Sequence, residues 1–230
     1  MKHLIIGLGE VGSALANIFP EAEVFDINRF LNNPHGPFDV LHICFPCTDQ
    51  VEFIKIVNEY KKRFGGNIVI IHSSVPIGTT AMLNAVHSPI RGVHPYLEKG
   101  IRTFVKYFGG FKAHEAAQLF EEKRIKTRVI RDSRITEAAK LWDTTQYGIM
   151  ILLEKEIYKF CRDNGLDFEV IYAEFNKTYH EGYSKLGMSY VTRPSLMHKE
   201  GKIGGHCVVE NANLLDTPLA KLIIERNKEL

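Results

Sequence analysis

The segment HLIIGLGEVGSALANIF, His3 to Phe19, constrains this chain more than any other stretch. A short apolar run stops at Gly7, a second glycine follows at Gly9, and a third sits at Gly12, inside a helical pattern. A strand that turns sharply into a helix needs a residue free of Cβ sterics at the turn. The helix can then pack against that strand only if its first turn is small. The turn Gly7-Leu8-Gly9-Glu10-Val11-Gly12 therefore reads as the Gly-x-Gly-x-x-Gly fingerprint of a dinucleotide site, in which the middle glycine lets the backbone approach a pyrophosphate and the helix N-terminus supplies N–H groups. A second strand pattern, EVFDI, ends near Asp26. An acid there can accept both ribose hydroxyls, which favours NAD over NADP. Arg29 is the nearby residue that would suit a 2′-phosphate, and Asp26 opposes it.

From residue 3 to about 132, short apolar runs alternate with helical patterns. The runs are HLIIGLG, EVFDI, DVLHICF, NIVIIHSS, IRGVHP, FVKYFGGF and TRVIRD. Several are apolar nearly throughout, as strands buried on both faces must be. Between them lie amphipathic stretches such as TDQVEFIKIVNEYKKRF, with Thr48 or Asp49 as its cap and the basic run Lys61-Lys62-Arg63 at its end. This order predicts a doubly wound, mainly parallel α/β sheet of Rossmann type.

After Asp132 the pattern becomes helical. RITEAAKLWDTTQYGIMILLEKEIYKFCRDNG predicts one long helix ending at Asn164-Gly165. DFEVIYAEFNKTYHEGYSKLG predicts another, capped by an Asp. MSYVTRPSLMHKEGKIGGHC is irregular, and the last twenty residues are helical with Pro218 as an interruption. The expected division is a cofactor domain over 1–133 and an all-helical domain over 134–230. A net charge of +2 with scattered Lys and Arg gives no reason to expect nucleic acid. No run of about 18 apolar residues predicts a membrane span. No secretory leader is read at the start, and four cysteines in a chain this long suit a reducing compartment, so a cytoplasmic protein is expected. The Cys44-x-x-Cys47 pair lacks the second pair that zinc needs, and no metal is expected.

In ordered pieces over nearly the whole chain, the sequence resembles the UDP-glucose/GDP-mannose 6-dehydrogenase family, with motifs most similar to UDP-N-acetylmannosamine dehydrogenases. GLGEVGSALA is similar to its opening and DVLHICFPCTD to its third strand and loop, including Phe45 and Pro46 beside the cofactor. IIHSSVPIGTT is similar to its Ser-Thr-Val-Pro-Pro-Gly-Thr-Thr. TEAAKLWDTTQYGIMILLEKE is similar to its long helix, with Glu137, Lys140 and Glu156 on matching positions, and GGHC to its nucleophile loop. The resemblance implies central helices of the 6-phosphogluconate dehydrogenase kind and a homodimer built on the long helix, 134–165. It also implies that Cys207 traps an aldehyde as a thiohemiacetal, that Lys140 stabilises developing oxyanion charge, and that Ser74 is a polar group near the nicotinamide. A thiolate is the better nucleophile for this, and a nearby cation favours it. Gly204 and Gly205 allow a tight loop, and His206 adjoins the cysteine in sequence.

The chain departs from the family's pattern at four places. Thr144 stands where the family has an asparagine, and Asn211 where it has an aspartate, preceded by Glu210 instead of lysine. VHPYLEKG lacks the family's glutamate, with Glu98 displaced. The family's second nucleotide-binding domain, which follows its central helices, has no counterpart in the 230 residues and is expected to be missing. The expected activity is therefore NAD-dependent oxidation of an alcohol on a small polar or sugar-like substrate, in which Cys207, Lys140, Ser74, Thr144 and His94 are the candidate catalytic residues. Two alternatives stand beside it. RGVHPYLEKG is also similar to prephenate dehydrogenases, in which one hydride moves and a histidine such as His94 handles the proton. The other is an NAD-binding regulatory protein that has lost catalysis.

Overall fold

The computed structural model describes residues 1–29, 33–205 and 207–230. The chain divides into two compact units, Met1–Leu141 and Trp142–Leu230.

The first unit is a seven-stranded sheet in the order β2-β1-β3-β4-β5-β6-β7. Its strands are β1 (His3–Ile6), β2 (Glu23–Phe25), β3 (Phe38–Ile43), β4 (Gly65–Ile71), β5 (Val86–His87), β6 (Lys106–Gly110) and β7 (Thr127–Ile130). The first five run parallel; β6 pairs antiparallel with β5, and β7 follows β6 in parallel. The helices are α1 (Glu10–Ile18), α2 (Gln50–Phe64), α3 (Thr79–Met82), α4 (Leu97–Thr103) and α5 (Ala113–Glu121). Two apolar cores flank the sheet. On one face Ile5, Val40, Ile70 and Phe108 pack with Leu15, Phe19, Ile101 and Phe120. On the other, Leu4, Ile6, Leu41 and Ile71 pack with Phe53 and Val57 of α2. Continuous apolar strands are the consequence, because each successive side chain enters one of the two cores.

Local chemistry fixes the boundaries. Asp49, not Thr48, caps α2 by accepting from the Glu52 N–H at 2.8 Å. The IRGVHP run does not form a strand. The fifth strand lies earlier, at Val86–His87, and residues 91–96 are a connection. Gly92 takes φ +147 there, within the region that suits glycine, so the apolar composition of the run is overruled by its backbone.

Helix α6 (Ser133–Asn164) is continuous over 32 residues, beginning in the first unit. The second unit continues with a π-helical stretch at Glu169–Glu174, α7 (Phe175–Lys185), a short 3₁₀ turn at Ser189–Val191, α8 (Cys207–Asn213) and α9 (Pro218–Glu229). Asp167 Oδ1 accepts from the N–H groups of Glu169 and Val170, the expected Asp start. Pro218 opens α9 at its first turn, with Thr217 Oγ1 accepting from Ala220 N–H. Gly148 admits α8 and α9 against α6: a Cβ there would sit 2.7 Å from Val208 Cγ1 and 2.8 Å from Ile223 Cδ1.

Candidate functional site

At the carboxyl ends of the parallel strands the first turn of α1 faces outward. Gly7 has φ +93, and a Cβ on it would lie 3.0 Å from Phe45 N, so the turn is pressed against the segment after β3. A Cβ on Gly12 would lie 1.9 Å from Gly7 O, which no side chain tolerates. Gly9 differs: among the described residues nothing lies within 4 Å of the position of its Cβ. Space is therefore open in front of the helix, where Glu10 is exposed and Val11 half-buried. The N–H groups of this first turn have no acceptor within the helix and point along the positive end of its dipole.

Asp26 follows β2. Its Oδ2 accepts from Leu8 N–H at 2.6 Å and its Oδ1 from Asn28 N–H at 2.8 Å, and the Leu8 hydrogen bond holds its carboxyl below the ordinary range. The carboxylate thus ties the end of β2 to the glycine turn. Each oxygen keeps acceptor capacity for a further donor, whereas the Leu8 N–H is already committed. Pro46 is exposed. Phe45, in the segment after β3, packs its ring against α2, 5.1 Å from that of Phe53. Burial raises the thiols of Cys44 and Cys47, the latter to about 11. No cluster of three or more His, Cys, Asp or Glu suited to a metal occurs among the described residues.

His94 stands on the connection after β5, and its Nδ1 contacts a carboxylate oxygen of Glu10, the first residue of α1. The segment after β4 carries half-buried Ser74. Its neighbour Ser73 donates to Phe45 O at 2.6 Å and offers its carbonyl to His87 Nε2 at 3.3 Å. His87 Nδ1 meets Thr136 Oγ1 at 3.0 Å. Burial drives His87 down to about 3, with the charges of Lys106 and Lys140 acting in the same direction, so the ring is neutral. Half-buried Lys140 is thereby placed within electrostatic reach of the β4–β5 edge. Glu137 is fully buried and accepts from Gly78 N–H at 2.6 Å and Thr80 N–H at 2.8 Å. It anchors α6 to the VPIGTT segment.

In the second unit Cys207 is the first residue of α8 and half-buried. His206 lies outside the described residues. One turn along α8, Asn211 Nδ2 donates to Thr144 Oγ1 at 3.1 Å. Both are buried, at 4% and 8% exposure. Two of the positions that depart from the resembled family's pattern are therefore partners in a neutral hydrogen bond.

Four histidines went unsingled in the sequence: His3, His42, His72 and His87, all buried. The available signal was their placement. Each interrupts a strand-like apolar run, as in HLII, VLHICF and IIHSS, where a polar ring must find a partner.

No family model matches the chain, and no curated protein matches it. Solved structures do. UDP-D-ManNAc dehydrogenase from Pyrococcus horikoshii superposes with a TM-score of 0.76 at 18% identity, over 100% of this chain and 68% of that one. UDP-N-acetylmannosamine dehydrogenase from Staphylococcus aureus gives 0.69 at 18% identity, over 100% and 68%. 3-Hydroxyisobutyrate dehydrogenase from Mycobacterium tuberculosis, solved with L-serine, gives 0.70 at 13% identity, over 99% and 92%. What these likenesses share with the chain is its fold, a mostly parallel Rossmann-type sheet followed by a helical bundle.

Proposed function

We propose that this protein is an NAD-dependent oxidoreductase acting on an alcohol of a small polar or sugar-like substrate. The carrying observation is the contrast between Gly9 and Gly12: one glycine is demanded by the chain's own packing, the other faces open space before a helix N-terminus. That cradle fits a pyrophosphate, and the remaining acceptor sites of Asp26 fit ribose hydroxyls. The N–H groups of Glu10, Val11 and Gly12 hold the phosphates in this reading, since Asp26 occupies that of Leu8. Ser74 binds at the nicotinamide end. When bound, NAD supplies a hydride acceptor. Lys140 holds positive charge toward an oxygen that becomes anionic. The Cys207 thiol releases its proton, its sulfur bonds to the aldehyde carbon as the carbon–oxygen π bond breaks, and that oxygen takes up the released proton.

Titration with NAD⁺ and NADP⁺ tests the cofactor, with tighter NAD⁺ binding expected. Gly9→Val is expected to abolish that binding without unfolding the chain. Tighter NADP⁺ binding would overturn the role given to Asp26. Covalent catalysis is tested by mass spectrometry of the protein held with an aldehyde and borohydride-free buffer. A hemithioacetal adduct confined to Cys207 is expected, and an unmodified Cys207 in an active protein would refute it.

A second reading has its own support. The pairing of His94 with Glu10 sets an imidazole against a carboxylate at the mouth of the same turn. A histidine so oriented can accept an alcohol proton in a single oxidation, without the cysteine. Retained turnover in Cys207→Ser together with loss in His94→Gln would select it.

The homodimer through residues 134–165 is also proposed. Leu153 and Phe160 are more than half exposed on α6. A cleft of about 600 Å³ is lined by Phe160 together with Ile171, Tyr172, Phe175 and Tyr179 among others. Apolar surface of this kind marks interfaces. No helix among the described residues is long and apolar enough to cross a membrane.

A further inference from the structure

Three of the buried histidines form one line. His3 Nδ1 lies 3.0 Å from His42 Nε2, and His42 Nδ1 lies 3.1 Å from His72 Nε2. The rings meet edge to edge, their planes only 18° and 11° apart and their centroids 5.3 Å and 5.4 Å apart. His72 Nδ1 lies 2.9 Å from Ser88 O and 3.5 Å from Lys106 Nζ, and Lys106 Nζ donates to Ser88 O at 3.1 Å. Phe19 and Phe120 wall the line against the helices.

The line is a diagonal. In the β1–β3 register His3 faces Val40 and Ile5 faces His42. In the β3–β4 register His42 faces Ile70, and His72 lies two residues further on. Each step moves one strand across and two residues up, always on the same face. The line therefore begins at the amino end of β1 and finishes past the carboxyl end of β4. Lys106 opens β6, which runs opposite to β5, so it too stands at the carboxyl edge.

We propose that His3, His42 and His72 form a proton wire that loads and unloads buried Lys106, joining solvent at the amino edge of the sheet to the edge where the glycine turn lies.

The hydrogen-bond logic leaves two complete states. A carbonyl accepts only, so when Lys106 is neutral, Ser88 O fixes the proton of His72 on Nδ1. Then His72 Nε2 accepts from His42 Nδ1–H, and His42 Nε2 accepts from His3 Nδ1–H. His3 Nε2 keeps the lone pair. A proton arriving there sends the Nδ1 proton of His3 to His42 Nε2, that of His42 to His72 Nε2, and that of His72 to Lys106 Nζ. Every ring ends neutral with its proton on Nε2, and Lys106 is an ammonium. Ser88 O then keeps Lys106 as its donor while His72 Nδ1 accepts from the same ammonium. The reverse sequence returns one proton to solvent. No ring turns over, and no bond other than N–H changes.

The surroundings suit this use. Burial brings Lys106 down to about 7, against 10.5 for an ordinary lysine. Its charge rests on the faces of Phe108 and Phe120, 5.6 Å and 5.2 Å from their centroids. Burial also lowers His42 and His72, so neither ring holds the charge at rest. The other titrating groups facing the line are Glu21, Lys123, Asp39 and the amino terminus around His3, His87 near His72, and Cys44 near Lys106. Glu21 and Lys123, paired at 2.7 Å, stand at the entrance.

The test is nitrogen-15 spectroscopy of the full chain, without cofactor, labelled at histidine and lysine. Across pH 5.5–9, His42 and His72 are expected to change from Nε2–H at low pH to Nδ1–H at high pH, in step with Lys106. In His42→Phe, with a ring of similar shape between Phe19 and Phe120, exchange of the Lys106 ammonium protons is expected to slow roughly tenfold or more, because local opening is then the only route. His3→Phe cuts the entrance and is expected to do the same, should His42→Phe fold poorly. Tautomers that stay fixed while Lys106 titrates, or an unchanged exchange rate in either folded variant, would overturn the wire.

Discussion

Replacing Lys106 by methionine isolates the cost of one buried amine. Lys106 is 4% exposed, and no carboxylate pairs with it among the described residues. Its value in the folded chain is about 7, against 10.5 when exposed. The depression spans about three and a half pH units, equivalent to about 5 kcal/mol. The sign follows from proton counts. Between pH 7 and 10.5 the unfolded lysine holds a proton that the folded one has released, so stability rises with pH in that window. The full penalty is present below pH 7 and has vanished above 10.5. Methionine fills a similar volume, carries no charge, and forfeits the bond to Ser88 O, worth about 1 kcal/mol. Ser88 O retains His72. Lys106→Met is therefore expected to be more stable than the wild type by about 3–4 kcal/mol near pH 7. The advantage should shrink by about 2 kcal/mol between pH 7 and pH 9. This interval is the cleanest one. The depressed histidines act below about 6.5, and the raised thiols Cys44 and Cys47 act above about 9 with the opposite sign. Urea unfolding of both proteins at half-unit steps measures the difference curve. A difference that is flat from pH 7 to 9, or a variant less stable throughout, would show that Lys106 is not titrating in the folded chain.

Other substitutions read other parts of the structure. Gly12→Val places carbon against Gly7 O and should cost at least about 3 kcal/mol in chemical unfolding, with or without cofactor. Glu137→Leu strands the N–H groups of Gly78 and Thr80 in the interior and should destabilise by about 2–4 kcal/mol; Glu137→Gln, which still accepts, should recover most of it. Iodoacetamide at pH 8 should leave Cys44, Cys47 and Cys161 unmodified in the folded chain, since Cys47 and Cys161 are buried and desolvation raises the thiols of Cys44 and Cys47. Cys207 should label first, and peptide mapping reads the order. If Lys140→Ala leaves the rate at Cys207 unaltered, the lysine does not activate that thiol.

Much of the architecture could be read from the chain because its strands are buried on both sides. Runs such as NIVII leave no polar face for any other element, and Asp167 is a local start signal that acts within three residues; Pro218, expected as an interruption, instead opens α9 behind the Thr217 cap. What could not be read depended on distance. IRGVHP has a strand's composition, yet Gly92 adopts a backbone that ends regular pairing, and the two-residue β5 is too short to show a pattern. The glycine turn was legible as a motif, but not the capture of Leu8 N–H by Asp26, which joins residues 18 apart. The Thr144–Asn211 bond spans 67 positions. The histidine line needs the register of three strands at once, and no spacing along the chain encodes it.

Gly9 occupies the position just before α1, with φ −75, a backbone that any residue adopts without strain. Among the described residues nothing crowds it. A serine or aspartate there would accept from the helix's first N–H groups and cap it. Glycine offers no such acceptor, and it is also the residue that loses most chain freedom on folding. The folded protein alone would thus gain from losing this glycine. Position 9 is a point where stability is forgone, and a selection for heat resistance carried out without ligand should find Gly9→Ser or Gly9→Asp early. The same selection run with ligand present would keep the glycine if a pyrophosphate takes the space, so the two outcomes compared would report a guest that the chain makes room for.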